Sequence, residues 1–410
     1  MRIPVLIAGA GQAGLAMSHQ LTARAIDHVV LERGQVANSW RTERWDSLRL
    51  LTPNWMSRLS GQSPCQDDPD GFMTKDQTAD FIERFGLSFG APVQSGVDIE
   101  RVTIHDQGFE VATNQGVWLC DALVVATGTA SEPRIPDVAS ELPSRIRQLP
   151  ALKYRNPSQI GNGAVMVVGA SASGVQIADE LRRAGRDVTV ASGEHVRVPR
   201  TYRGHDIYWW LEAIGRLAER WDEMEDLNRA RDLPSLQLVG SNERRNIDLG
   251  SLHDGGVTIV GKLLRVAGSK AQFSGGLTNL IANADLKQNR LLTRIDEHAE
   301  EFGLDAELPE PTRPDPIKLG PIPTELDLGR YETIIWATGH RPSFSWLDPR
   351  ALDHRGRLSH DGGICRVPGL YALGLPFLRT RKSTLIDGVG ADSAAIAARV
   401  HAHLDQRITV

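Results

Sequence analysis

Apolar residues in this chain fall into short unbroken runs, and the runs alternate with stretches of helical period. Residues 3–8 form the first run, closed by glycine, and predict a buried parallel strand. Residues 12–24 carry apolar positions at helical spacing, and 28–31 form a second short strand that ends at Glu32. Residues 97–120 alternate apolar and polar positions around Gly and Asn, which predicts an antiparallel ribbon. Residues 122–126 are a further apolar strand running into Ala-Thr-Gly. The proline-rich stretch 132–157 reads as a connector.

The opening pattern then returns. Residues 164–168 predict a strand, 169–174 a Gly/Ser turn, 175–184 a helix and 187–190 a strand. Residues 205–232 and 277–303 read as helical, 308–323 as an extended, proline-rich segment. Residues 333–337 give a last strand, again ending in Ala-Thr-Gly. One large strand–turn–helix–strand unit is therefore used twice, 160 residues apart. The pattern predicts an α/β fold of two Rossmann-like dinucleotide-binding domains, the second inserted into the first. Residues 1–155 and 325–410 would form one domain and 156–324 the other.

Each turn carries chemistry. GAGQAG sets Gly9, Gly11 and Gly14 in the G-x-G-x-x-G pattern. Gly9 permits a tight turn, Gly11 lets a diphosphate approach the backbone, and Gly14 lets the helix pack on the strand. The helix that follows offers unpaired N–H groups and the positive end of its dipole. Glu32 lies 21 residues beyond Gly11, where a carboxylate can accept ribose hydroxyls. GASASG repeats the turn with Gly169, Ser171, Ser173 and Gly174. With the units aligned, Ala191 stands opposite Glu32 and Ser192 opposite Arg33. The acid that would repel a ribose 2′-phosphate is absent there, and His195, Arg197, Arg200 and Arg203 follow. That favours NADPH, while Glu194 in the same loop leaves NADH open.

Composition narrows the classes. The 410 residues are 41% hydrophobic and 24% charged, an ordinary globular balance. A net charge of −5 speaks against a nucleic-acid partner. No apolar stretch is long enough to predict a membrane span, and the N-terminal run is too short for a signal peptide. Three separated cysteines, Cys65, Cys120 and Cys365, form no C-x-x-C pair. They fit a cytoplasmic protein without a disulfide framework. The twelve histidines show no ligand spacing, so no metal is expected; His401 and His403 near the tail come closest. A homodimer is the default expectation for oligomeric state.

From these residues the sequence resembles the class B flavin-dependent monooxygenases, which include flavin-containing, YUCCA-type and Baeyer–Villiger enzymes. The resemblance spans nearly the whole chain. It rests on Glu32 followed by Ser39, Trp40 and Arg41, on the T-K-x-Q of Thr74, Lys75 and Gln77, and on the two Ala-Thr-Gly segments (126–128 and 337–339). The segment ATGHRPSFSWL, the GLYALG ending at Gly374 and GVGAD at 388–392 complete it. The resemblance implies FAD on the first domain and NADPH on the second. It implies transfer of one oxygen atom from O2 to a small-molecule substrate through a flavin hydroperoxide. It places Arg33, Ser39, Trp40, Arg41, Thr127, Gly128 and Gly374 along the FAD and Val97 at the adenine; Arg341, after the second Ala-Thr-Gly, is a candidate to pair with cofactor phosphate or to brace the crossing. Asn54 becomes a candidate hydrogen-bond donor to the activated oxygen, with a plain turn role after Pro53 as the alternative.

One motif departs. The family places F-x-G-x-x-x-H-x-x-x-[WYF] before the second glycine turn. Here Ser144, Ile146 and Pro150 stand at its first three positions and only Tyr154 matches. An FAD-dependent NAD(P)H oxidase that transfers no oxygen therefore stays open, as does a non-catalytic dinucleotide sensor. A disulfide reductase would need the cysteine pair that is missing.

Overall fold

The computed structural model describes residues 1–59, 62–63, 67–408 of the chain, and, of Ile408, only the backbone. Cys65 lies outside the described residues. The first half of the chain builds β1 (Arg2–Ala8), α1 (Gln12–Thr22), β2 (His28–Glu32), α2 (Lys75–Ser88), β3 (Val93–Ser95), β4 (Ile99–His105), β5 (Gly108–Thr113) and β6 (Gly116–Val125). Next come β7 (Arg147–Pro150), β8 (Ala164–Val168), α3 (Ala172–Arg183), β9 (Val188–Ala191), α4 (Leu249–Asp254), β10 (Thr258–Val260) and α5 (Leu277–Glu301). The chain closes with β11 (Tyr331–Trp336), β12 (Leu370–Ala372) and α6 (Val389–Ile408).

Two parallel sheets result, and they are copies in topology. The first runs β3-β2-β1-β6-β12, the second β10-β9-β8-β11-β7. All neighbouring pairs along both series are parallel. Val5–Ala8 and Val165–Val167 have essentially no exposed surface, because each central strand is covered on both faces. Each buried Val, Leu or Ile contributes about 1.5–3 kcal/mol, so the central strands anchor both units. The ribbon predicted at 97–120 is β4, β5 and the start of β6, paired antiparallel. The second unit has a counterpart in the three-stranded antiparallel sheet of Leu263–Ala267, Lys270–Phe273 and Glu325–Asp327.

Strand pairing moves the expected boundaries. Residues 147–150 and 331–336, assigned from the sequence to the first domain, are hydrogen-bonded into the second sheet, where β11 lies between β8 and β7. The expected helix over 205–232 is also broken. Ile207–Ala213 is helical, Gly215 adopts φ +71°, and the chain restarts as a short helix only at Leu227–Arg231. No helix among the described residues is long and apolar enough to cross a membrane.

The chain passes between the two units at the ends of β6 and β11, through the Ala-Thr-Gly segments. Just beyond them, Glu132–Pro133 pairs antiparallel with His340–Arg341, and Arg341 is ion-paired to Glu132 at 3.1 Å. Arg341 thus braces the crossing.

Candidate functional site

The two glycine turns are built on the same backbone pattern. The Gly9 amide donates to Leu31 O at 2.8 Å and the Gly169 amide to Ala191 O at 2.9 Å, which ties each turn to the neighbouring strand. Gly9 has φ +105° and Gly169 +110°. A Cβ at Gly9 would lie 2.7 Å from Ala126 O, and one at Gly169 2.3 Å from Ala337 O. Each turn is therefore pressed against the first residue of an Ala-Thr-Gly segment, at the point where strand order reverses. In open α/β sheets that point is where ligands sit.

At Gly11 the surroundings change. A Cβ there would meet no atom within 4 Å, so the middle of the first turn faces open space. Gly11 and Ser171 are the N-caps of α1 and α3, and neither helix has a side-chain cap. The first-turn amides of both helices have no intrahelical acceptor. The Glu32 carboxylate, buried beside the first turn, accepts from the amides of Ala10 at 2.9 Å and Gly34 at 3.0 Å. It holds the turn in shape and keeps lone pairs for a further donor.

Other sequence candidates gather around this first turn. Ala37 N–H donates to Ala10 O, which seats the short helix Asn38–Thr42, with Ser39 and Trp40, beside it. Trp40 packs against the cores of both units. Gly374, at φ +73°, lies against Ala13 of α1, where a Cβ would come within 2.8 Å. Val97 is buried, with its N–H donated to Glu32 O at 2.9 Å. Thr127 and Gly128 follow β6, Gly128 at φ +76° with open space at its Cα.

Several candidates are engaged elsewhere. Arg33 pairs with Glu43, and Arg41 with Asp80 and Glu83. Asn54 is buried, and its Nδ2 donates to Asp68 O at 2.9 Å, so it pins a loop in the manner of a turn residue. Thr74 and Gln77 form a capping box at the start of α2, which accounts for the T-K-x-Q motif. Arg197 and Arg200 are corrected as phosphate ligands. Arg197 is buried between Asp248 (2.8 Å) and Asp285 (2.6 Å). Arg200 has no exposed side-chain surface; it grips Asp206 and donates to Leu51 O at 2.8 Å. Arg203 is held likewise, by Asp305 and the Pro309 carbonyl. These arginines are internal braces of the second unit. The basic cluster near the C-terminus is also bound up: Arg379 stacks over Trp221, Arg381 pairs with Glu219, and Lys382 with Asp387.

A cleft of about 1520 Å³ runs from the second glycine turn, across the crossing segments, to residues 355–360 and 375–376. Its size exceeds the range of about 300–1,000 Å³ typical of small-ligand pockets. Gly169 to Ser173 line one wall. Pro150, where the family motif has histidine, ends β7 opposite Trp336. Tyr154 is buried and donates to Glu180 of α3 at 2.7 Å, so the one retained motif position supports the helix behind the second turn.

Charge along the cleft is uneven. All five carboxylates lining it are ion-paired: Glu43 with Arg33, Glu132 with Arg341, Glu194 with Lys287, Asp232 with Arg134 and Asp353 with Arg357. Four lining cations, Arg44, Arg231, Lys262 and Arg355, have no carboxylate within ion-pair distance among the described residues. Burial pulls the Arg44 guanidinium below its usual pKa against the opposing pull of Glu43, with Arg155 adding to the lowering. His340 is likewise lowered, by burial first and then by Arg44 and Arg134. Lys262 stands next to Gly193, in the loop that follows β9. Sequence reasoning missed Lys262 and Arg44, because each comes to the cleft from a distant segment; the one local signal for Lys262 is its place just after the third strand of the unit.

Cys120 and Cys365 are free and buried, and burial drives both thiols up to about 12. Neither can supply a thiolate near neutral pH.

The profile of the pyridine nucleotide-disulphide oxidoreductase family matches residues 6–217. An uncharacterized oxidoreductase CzcO-like of Geobacillus kaustophilus is 33% identical over 396 residues, 95% of this chain and 96% of that protein. The chain belongs to this oxidoreductase family. Indole-3-pyruvate monooxygenase YUCCA1 of Oryza sativa subsp. japonica is 24% identical to the oxidoreductase, across 98% of this chain and 92% of that one. Among solved structures, a flavin-containing monooxygenase from Stenotrophomonas maltophilia shares its fold, with a TM-score of 0.69 at 18% identity, covering 98% and 99% of the two chains. The chain is thus an enzyme of the oxidoreductase class.

Proposed function

We propose that this enzyme is an FAD-dependent, NADPH-consuming monooxygenase that places one oxygen atom from O2 into a small organic substrate. The observation that carries the proposal is the duplication: two N-cap turns of equal geometry, each pressed on an Ala-Thr-Gly crossing, with the crossings themselves paired. FAD, when bound, supplies hydride acceptance and oxygen activation.

The chain's own residues position the reactants. The α1 amides and helix dipole hold the FAD diphosphate, with Gly11 leaving room for its approach. Glu32 accepts the ribose hydroxyls while keeping its bonds to Ala10 and Gly34. Ser39, Trp40, Val97, Thr127, Gly128 and Gly374 border the same cofactor. The α3 amides, behind Gly169, Ser171, Ser173 and Gly174, hold the NADPH diphosphate, and Lys262 takes the 2′-phosphate. Arg44 faces the same cleft from the first unit, where its charge adds to the field on the phosphates. Trp40, between the two cores, excludes water where they meet.

The test is direct. Purified protein should carry or take up FAD, NADPH should bleach the flavin band, and aerobic turnover with a thioether should yield sulfoxide in proportion to NADPH used. Pro150, in place of the motif histidine, supports a second reading as an NADPH oxidase. Peroxide equal to the NADPH consumed, with no oxygenated product, selects that reading.

A further inference from the structure

The charge imbalance of the cleft has two ends. Lys262 and Arg44 stand toward the second glycine turn and the crossing, where the proposed function puts cofactor phosphates. Arg231 stands elsewhere, among residues 355–360 and the turn at 375–377. It is the last residue of the short helix Leu227–Arg231, whose start is fixed by the Asp226 carboxylate on the Arg229 amide at 2.9 Å. Its guanidinium is half-buried and poorly satisfied. Among the described residues, Nη2 makes one long contact, 3.4 Å to Phe377 O, and Nε is buried with no acceptor. Acids close by are otherwise engaged: Asp361 accepts from Trp221 Nε1 at 2.6 Å, and the adjoining Asp232 pairs with Arg134 at 3.6 Å.

Arg197, Arg200 and Arg381 each grip a carboxylate, whereas Arg231 has none within ion-pair distance among the described residues. A guanidinium withdrawn from water without an acceptor costs stability unless a ligand supplies one. Burial and the Arg231 charge together hold His360 to a pKa of about 4, so His360 adds no charge to this wall at neutral pH, where Arg355 and the Asp353-paired Arg357 also stand. The backbone turn that Arg231 touches continues directly from Gly374, which rests on Ala13 at the tip of α1. Arg231 therefore sits within one loop of the proposed FAD site.

We propose that Arg231 anchors a carboxylate on the substrate, so that the enzyme selects organic anions. The fork of the guanidinium suits a two-oxygen acceptor, which fixes the orientation of the bound molecule as well as its charge. The proposal rests on the reading of the cleft as a flavin monooxygenase site. Its test needs binding only.

FAD-loaded protein is titrated with benzoate and phenylacetate, and with their uncharged isosteres benzamide and phenylacetamide, following flavin absorbance and thermal shift. The acids should bind about ten- to a hundredfold tighter than the amides, as expected for a charge-assisted bond. Arg231→Gln should abolish that preference and Arg231→Lys should retain part of it, with flavin content unchanged in both. Equal binding of acid and amide by the wild type, or no binding of either, overturns the proposal, as does a preference that survives in Arg231→Gln. Lack of flavin reduction by NADPH would count against the proposed function instead, so the two failures are separable.

Discussion

A methyl group on Gly14 would lie 1.8 Å from the carbonyl oxygen of Gly9. Gly174 and Gly169 repeat the relationship at 1.9 Å. These glycines let a helix lie directly on the turn before it, a requirement of the fold. Gly11, one helical turn away, has no atom within 4 Å of such a methyl and is free for a ligand. Two outcomes are expected. Gly14→Ala should lose about 2–3 kcal/mol of stability from overpacking against backbone. Gly11→Val should melt near the wild-type apoprotein and fail to retain FAD. Thermal melts with flavin quantitation decide it, and stoichiometric flavin in Gly11→Val would sink the assignment.

Lys262 should set the preference between the two nicotinamide cofactors. It stands beside the loop after β9 with no carboxylate in ion-pair distance among the described residues, and Glu194 in that loop is neutralised by Lys287 at 3.1 Å. Lys262→Gln should raise the KM for NADPH about tenfold, the worth of one charge-assisted bond, and leave the KM for NADH nearly unchanged. A parallel loss for both cofactors would assign Lys262 a general role.

The parts of this molecule legible in the sequence are those fixed by local pattern. The apolar runs ending in Gly9 and Gly169 gave both central strands, and the spacing to Glu32 gave the buried carboxylate. What sequence patterns missed depends on partners far along the chain. β7 is four residues long and ends in Pro150, yet it pairs with β11 because an edge strand tolerates a residue without an N–H. The arginines after β9 looked available because nothing local pairs them. Arg197 finds its acids 51 and 88 residues away. Arg44 and Lys262 are unremarkable in sequence and gain meaning only from the cleft they share.

Arg200 supplies a test of that correction. Its bonds to Asp206 and Leu51, and the Phe72 ring 4.8 Å from its guanidinium, join the second unit to the 51–72 segment of the first. Burial raises the Asp206 pKa and Arg200 opposes the rise, so removing the arginine strands a buried acid. Arg200→Met should cost about 3–5 kcal/mol. Adding Asp206→Asn should recover part of the loss, and the KM for NADPH should barely move in either folded variant. A selective loss of NADPH affinity without destabilisation would restore Arg200 to the cofactor site.

Asp392, in the first turn of α6, makes stability depend on pH. Its side chain is buried, with Oδ2 unpartnered among the described residues, and burial raises its pKa to about 6 despite the Ser383 hydroxyl and the Arg379 charge. Because the folded state binds this proton more tightly than the unfolded chain, the group favours folding at low pH. That contribution is lost as pH rises from the ordinary carboxylate value of 3.8 through about 6. Asp392→Asn removes the titration. The stability of the Asn variant relative to wild type should therefore climb between pH 4 and 6.5, by at most about 3 kcal/mol at 1.36 kcal/mol per pKa unit, and level off above pH 7. Urea unfolding of both proteins across this range measures the difference, and a flat profile would mean that Asp392 ionises as it would in water.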